Sequence, residues 1–319
     1  MDNFLQHIII LLDDISPSFC HAENPMTQRK LISLEFLKKG ILFAMKENLQ
    51  IQYALPPYAL PDEYRTLMQT MDYLCIGEDV KVYSDIGKVT DCENVILRLS
   101  IADFITNVKN AAEILSKTSR LNICFIDIDK FDDSLICAYR ESLRTLKRKL
   151  FELITEGKTD VQCNLLTDRL QLSLMNNCGA GINNITLAPN GKFYLCPAFY
   201  YDERSGLDNR KNYKTSESDR SVGDIDGGLD IPDKQLLQLD YAPICRICDA
   251  FHCNRCLWLN QRLTLNINTP SRQQCVMAHI ERNVARELQQ ELIDARFTFE
   301  NLIPESEFLD PFEKILKGL

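Results

Sequence analysis

Apolar residues along the first 170 positions switch between two periods. Ile8–Leu12 is an unbroken apolar run, as a strand buried on both faces requires. Leu31–Asn48 places Leu31, Leu34, Leu37, Ile41 and Met45 at helical spacing, which predicts a helix opening near Thr27 as its cap. Gly40 interrupts that helix with a residue of poor helix propensity. The same reading predicts strands over Ile51–Leu55, Asn94–Leu99, Leu121–Ile128 and Val161–Leu166. Helices are expected over Asp62–Met71, Ile101–Lys117 and Asp133–Glu156. Repeated βα units with apolar strands predict an α/β fold, a parallel sheet covered by helices and either open or curled into a partial barrel.

The texture changes after about Leu170, where Gly, Pro, Asn and Cys replace aliphatic strands. Pro189-Asn190-Gly191 separates two strand-like runs within Thr186–Cys196 and predicts a hairpin turn. Asp202–Ser221 is polar and reads as a surface insertion. Arg282–Arg296 returns to helical character, and Phe297–Leu319 reads as a tail packed on the body. With 319 residues in all, the pattern predicts an α/β domain over 1–170, a cysteine-rich domain over 171–290 and a helical tail over 291–319.

Charge narrows the partners. A net charge of −9 disfavours general binding to nucleic acid or an anionic membrane, which needs a basic face. The basic stretch Arg144, Lys147, Arg148 and Lys149 reads as a solvated helix face. Ile8–Leu12 is too short to cross a membrane, and no signal peptide is recognisable, so a cytoplasmic protein is expected. In that compartment the 13 cysteines point to metal or redox chemistry rather than disulfides. Cys75, Cys92, Cys124, Cys137 and Cys163 mostly lie in apolar contexts and read as small core residues. Asp127, Asp129, Asp132 and Asp133 follow a strand, where either a ligand contact or helix capping would explain them.

Seven cysteines fall between Cys178 and Cys275. Cys245-Arg-Ile-Cys248 and Cys253-Asn-Arg-Cys256 are two C-x-x-C pairs separated by only Asp249, Ala250, Phe251 and His252. Each pair puts two thiolates on one turn, suited to a four-thiolate zinc site or to iron–sulfur centres. Zinc sites of this kind usually separate their pairs by about 15–20 residues. The short loop here, with Cys178, Cys196 and Cys275 nearby in sequence, suits two centres better. His252 and His279 stand beside these cysteines, either as a non-thiolate ligand or as hydrogen-bonding neighbours.

This pattern resembles the SPASM domains of peptide-modifying radical enzymes, which carry C-x(9–15)-G-x4-C, then C-x2-C-x5-C-x3-C, then a last C; Cys178, Gly191, Cys196, Cys245, Cys248 and Cys275 match it. Cys253 and Cys256 depart from it, each by a gap one residue shorter. The resemblance implies one [4Fe–4S] cluster on Cys245, Cys248, Cys253 and Cys275. It implies a second on Cys178, Cys196 and Cys256, with the fourth position open or held by another donor.

SPASM domains follow a radical SAM barrel, and the βα order of residues 1–170 resembles one in degenerate form. Cys20 stands at the first position of the family's C-x3-C-x2-C motif, but Asn24 and Thr27 occupy the other two. Pro56-Pro57-Tyr58 follows the second strand where the family has a glycine pair. An amide and a hydroxyl do not replace thiolates on such a cluster, so binding and cleavage of S-adenosylmethionine are not expected. The whole chain, including the run SPSFCHAENP, resembles the CXXX-repeat peptide maturases. That implies a role in modifying a ribosomally synthesised peptide, with the precursor and a redox or radical enzyme as partners. A non-catalytic peptide-binding module and a zinc protein are the competing readings.

Overall fold

The computed structural model describes residues 5–90, 92–170, 172, 178–204, 220–250, 253, 255–305, 310 and 313. His252 lies outside them, as do most of the polar insertion and much of the tail beyond residue 305. The chain forms two compact units, one of residues 1–78 with 179–238 and one of residues 79–178 with 239–319.

The first unit is built on a five-stranded sheet of β1 (His7–Leu11), β2 (Gln50–Ala54), β3 (Tyr73–Ile76), β8 (Asn184–Leu187) and β9 (Phe193–Tyr194), in the order β3-β2-β1-β8-β9. All pairs are parallel except β8–β9, which is the expected hairpin. Gly191 turns it at φ +79°, a conformation that glycine takes without steric cost. Helix α1 (Leu34–Lys46) is capped by Ser33, which accepts the Phe36 N–H at 3.1 Å. Thr27 is therefore not the cap. The residues before Ser33 are extended, with Ile32 N–H bonded to Leu12 O at 2.9 Å, and Leu31 fell at a helical interval by coincidence. Gly40 has a packing role: a Cβ there would lie 2.5 Å from Leu187 Cδ2. Helices α2 (Asp62–Met68) and α5 (Pro197–Arg204) and a two-stranded ribbon, β10 (Gly223–Asp224) with β11 (Gly228–Leu229), complete the unit.

The second unit carries a fully parallel sheet in the order β4-β5-β6-β7, from β4 (Val80–Tyr83), β5 (Asn94–Leu99), β6 (Arg120–Phe125) and β7 (Gln162–Cys163). The α/β expectation with parallel sheets therefore holds. Among the described residues, strand pairing divides it between two sheets, with β3 and β4 in different ones. β3 and β4 escaped the periodicity because each is a short edge strand with mostly half-buried residues.

Helix α3 (Ile101–Leu115) packs on α4 (Ile136–Thr155), and α4 packs on α7 (Arg272–Asp294). Tyr139 on α4 centres an aromatic cluster with Phe104, Phe125 and Phe131. The basic stretch on α4 is not a free solvated face. Lys147 reaches Glu291 at 2.6 Å and Glu287 at 3.4 Å, and Arg144 reaches Glu287 at 2.7 Å, all across to α7. The aspartates after β6 act largely as caps: Asp127 accepts the Ile101 N–H and Asp132 the Ser134 N–H. Of the scattered cysteines only Cys163 is buried, and Cys137 is exposed. Among the described residues no helix is long and apolar enough to cross a membrane.

Candidate metal centre

The cysteine-rich segment of the second unit is shaped by tight turns. Cys245–Ile247 form a 3-10 turn, closed by Cys248 N–H to Cys245 O at 3.1 Å. The chain then reverses, so that Ala250 N–H points at Cys248 Sγ at 3.4 Å and Cys253 N–H bonds Ala250 O at 2.9 Å. Arg255 takes φ +39°, a left-handed conformation that lets the chain enter α6 (Leu257–Thr264) with Cys256 as its first flanking residue. Cys275 is delivered by a different element. Ser271 caps α7 by accepting the Gln274 N–H at 3.2 Å, so α7 begins ten residues before the position expected from periodicity. That cap places Cys275 in the first turns and His279 one turn later, on the same face.

These elements bring Cys245, Cys248, Cys253 and Cys275 together. Burial pushes the Cys245 thiol up to about 12, and Cys253 and Cys248 beside it add to the rise. Cys248 is pushed up to about 11, first by burial, with Cys253 and Asp249 adding, against the Ala250 N–H. Burial raises Cys253 as well, and raises Cys275, where the neighbouring Cys253, Cys245 and Cys248 thiols add to the rise. Such thiols stay protonated unless a metal takes the proton's place.

Three guanidinium groups stand among the thiols. Arg255 is fully buried and donates to Asn268 Oδ1 at 2.7 Å. Burial disfavours its charge, and the groups that favour it are the Cys245, Cys178 and Cys253 thiols. Arg169 lies beside Cys253, paired with Glu281, which also accepts from the Tyr139 hydroxyl at 2.5 Å. Arg282 lies beside Cys248 and pairs with Asp249. Gln274 Nε2 points at Cys253 Sγ at 3.8 Å. Soft donors in a buried place, with N–H groups directed at sulfur and cations around them, fit a metal–thiolate centre carrying net negative charge.

His279 lies beside Cys248, with Nε2 at 3.6 Å from the sulfur. Burial holds its imidazole below the ordinary value, against the pull of the Cys275 carbonyl and Asp249. Cys248, Asp249 and His279 offer donor atoms within 4.8 Å of one another. Asp249 was not singled out from the sequence, and neither were Arg255, Arg282, Arg169 and Glu281. The readable signal was Cys275-x3-His279, one helical turn, but it required α7 to start at Ser271. Cys178 and Cys256 belong to the second unit, and Cys196 to the first, where it follows β9 and opens α5.

At the C-terminal end of β1, in the first unit, polar groups close on one another. Asn24 Nδ2 donates to Asp14 O and Ser16 O, both at 2.8 Å, and its Oδ1 accepts the Met26 N–H at 3.0 Å. Tyr58 donates to Asp13 Oδ2 at 2.6 Å and Tyr200 to Asp14 Oδ1. The Arg29 guanidinium lies 4.0 Å from the centre of the Tyr58 ring. Cys20 Sγ is 3.6 Å from Ser18 Oγ, and Thr27 is exposed. Comparison with protein-family models finds none that matches this chain, and comparison with curated proteins finds no match either.

Proposed function

We propose that this protein takes part in the maturation of a ribosomally synthesised, cysteine-repeat peptide, through a SPASM-type iron–sulfur region that follows a degenerate radical SAM-like half. The observation that carries the reading is that Cys245, Cys248, Cys253 and Cys275, the four thiols assigned to one cluster by sequence resemblance, are electrostatic neighbours, two buried and two half-buried, with the Arg255, Arg169 and Arg282 guanidinium groups beside them. A [4Fe–4S] cluster on these thiolates would supply either electron transfer or a rigid surface for the precursor. Cys178, Cys196 and Cys256 are proposed for the second cluster.

The chain's own groups set the conditions for such a centre. The Ala250 N–H and the Gln274 amide are directed at two of the sulfurs and would tune its potential. Arg255, Arg169 and Arg282 would offset its charge. The first unit is proposed to do no chemistry on S-adenosylmethionine, because Asn24 is committed to holding the loop after β1 and Thr27 faces solvent. Any radical step would then come from a partner enzyme.

The test is binding of a synthetic peptide with repeated Cys-x-x-x units to anaerobically reconstituted protein, followed by fluorescence anisotropy. Saturable binding that is lost in Cys275→Ala is expected. No binding, or binding that survives loss of the iron, contradicts the reading.

A further inference from the structure

We infer that the cluster-free chain holds a single tetrahedral divalent ion of the zinc class on Cys248 Sγ, Asp249 Oδ1 and His279 Nε2, a site that shares only Cys248 with the four-thiolate set.

The first observation is the tautomer. His279 Nδ1 lies 2.8 Å from the Cys275 carbonyl oxygen, one helical turn back. A carbonyl only accepts, so Nδ1 carries the proton. The tautomer open to a metal therefore turns the Nε2 lone pair toward Cys248 Sγ and Asp249 Oδ1, each at 3.6 Å.

The second observation is the spacing. Zinc–sulfur and zinc–imidazole bonds of about 2.3 and about 2.0 Å, opened to the tetrahedral angle, separate the two donor atoms by about 3.5 Å. Cys248 Sγ and His279 Nε2 are 3.6 Å apart. A bare S–H to nitrogen contact would allow the same distance, but it would not call for the third donor. The Asp249 oxygen lies within 4.8 Å of both other atoms, on a side chain about one quarter exposed. It can close on an ion by rotation, and its exposure gives the ion a way in.

The third observation is the support behind each donor. The Cys275 carbonyl orients His279. Arg282 pairs with Asp249 Oδ2, the oxygen turned away from His279, and leaves Oδ1 for the ion. The Ala250 N–H is directed at Cys248 Sγ. Metal-binding histidines and carboxylates are oriented in this way by neighbours that do not touch the metal. Three protein donors leave one tetrahedral position for water.

The site shares Cys248 with the proposed cluster, so one chain holds one or the other there. The inference does not rest on the peptide-maturation reading, and iron and sulfide uptake is measured separately.

The experiment is an anaerobic titration of the full chain, stripped of metal with a chelator, with Co²⁺ as a spectroscopic probe. The expected result is one tightly bound ion with tetrahedral ligand-field bands and a charge-transfer band whose intensity corresponds to one thiolate. His279→Ala should weaken binding at least about tenfold. A charge-transfer band of several thiolates in the wild-type chain would overturn the inference, without recourse to any variant. Unchanged affinity in His279→Ala would overturn it equally.

Discussion

The loop after β1 and the loop between Cys245 and Cys256 both bury polar side chains, and they do so in opposite ways. After β1, each buried group meets a protein partner: Asn24 bridges two carbonyls, Tyr58 and Tyr200 donate to Asp13 and Asp14, and Ser16 Oγ donates to Ala54 O at 3.1 Å. In the cysteine loop the buried groups are thiols, whose charged forms are disfavoured by burial and by one another. Thiols are weak hydrogen-bond partners and gain little from gathering. Buried guanidinium groups gain nothing from neutral thiols either. The first arrangement is complete as protein. The second becomes favourable when a metal converts thiols to thiolates.

The comparison breaks most readily at the thiols. Metal binding to a site of this kind contributes on the order of 10 kcal/mol to the structure built around it. Cys275→Ala, or Cys248→Ala, is expected to abolish amide-exchange protection over residues 245–256 while α7, packed on α4, and the first-unit sheet stay protected. Full protection of 245–256 in both variants would show that the loop needs no metal.

The next largest effect lies behind the thiols. Glu281 joins Arg169 and Tyr139 in a buried network whose side chains are less than a tenth exposed. Glu281→Gln leaves the Arg169 charge without its anion, and a loss of about 3–5 kcal/mol is expected. Denaturant unfolding reads this, and a change below about 1 kcal/mol would remove the network from the account.

In the first unit the effect should be smaller and purely structural. Asn24→Ala removes the amide donor that the Asp14 and Ser16 carbonyls share and should cost about 1–3 kcal/mol. Neither this variant nor the wild type should form 5′-deoxyadenosine from S-adenosylmethionine under reducing anaerobic conditions. Turnover that disappears in Cys20→Ala would reveal a divergent active site in the place read as lost. Smallest of all, Arg144→Ala removes partly exposed ion pairs and should cost about 1 kcal/mol or less by the same unfolding measurement.

How much of this was legible in the sequence follows from which signals are local. β1, β2, β5, β6 and the hairpin of β8 and β9 were readable because apolar runs and a Pro-Asn-Gly turn are properties of neighbouring residues. The α/β class followed from their order. β3 and β4 were not readable, since edge strands that bury little apolar surface leave little pattern. α7 was cut short because its early turns carry Arg272, Gln273 and Gln274, polar residues whose helical state depends on the Ser271 cap. The cysteine spacing nominated the thiols of the candidate site. It said nothing of Arg169 or Glu281, which lie 112 positions apart and meet through tertiary packing. Asp249 was hidden differently: adjacent to Cys248, it gains meaning only once α7 brings His279 beside it.

The central claim is that these thiols hold iron–sulfur clusters, and metal content measures it most directly. The full chain, reconstituted anaerobically with iron and sulfide and then desalted, should carry about eight irons with matching inorganic sulfide, as two [4Fe–4S] clusters require. A chain that keeps one zinc per molecule and takes up no sulfide under those conditions would contradict the account.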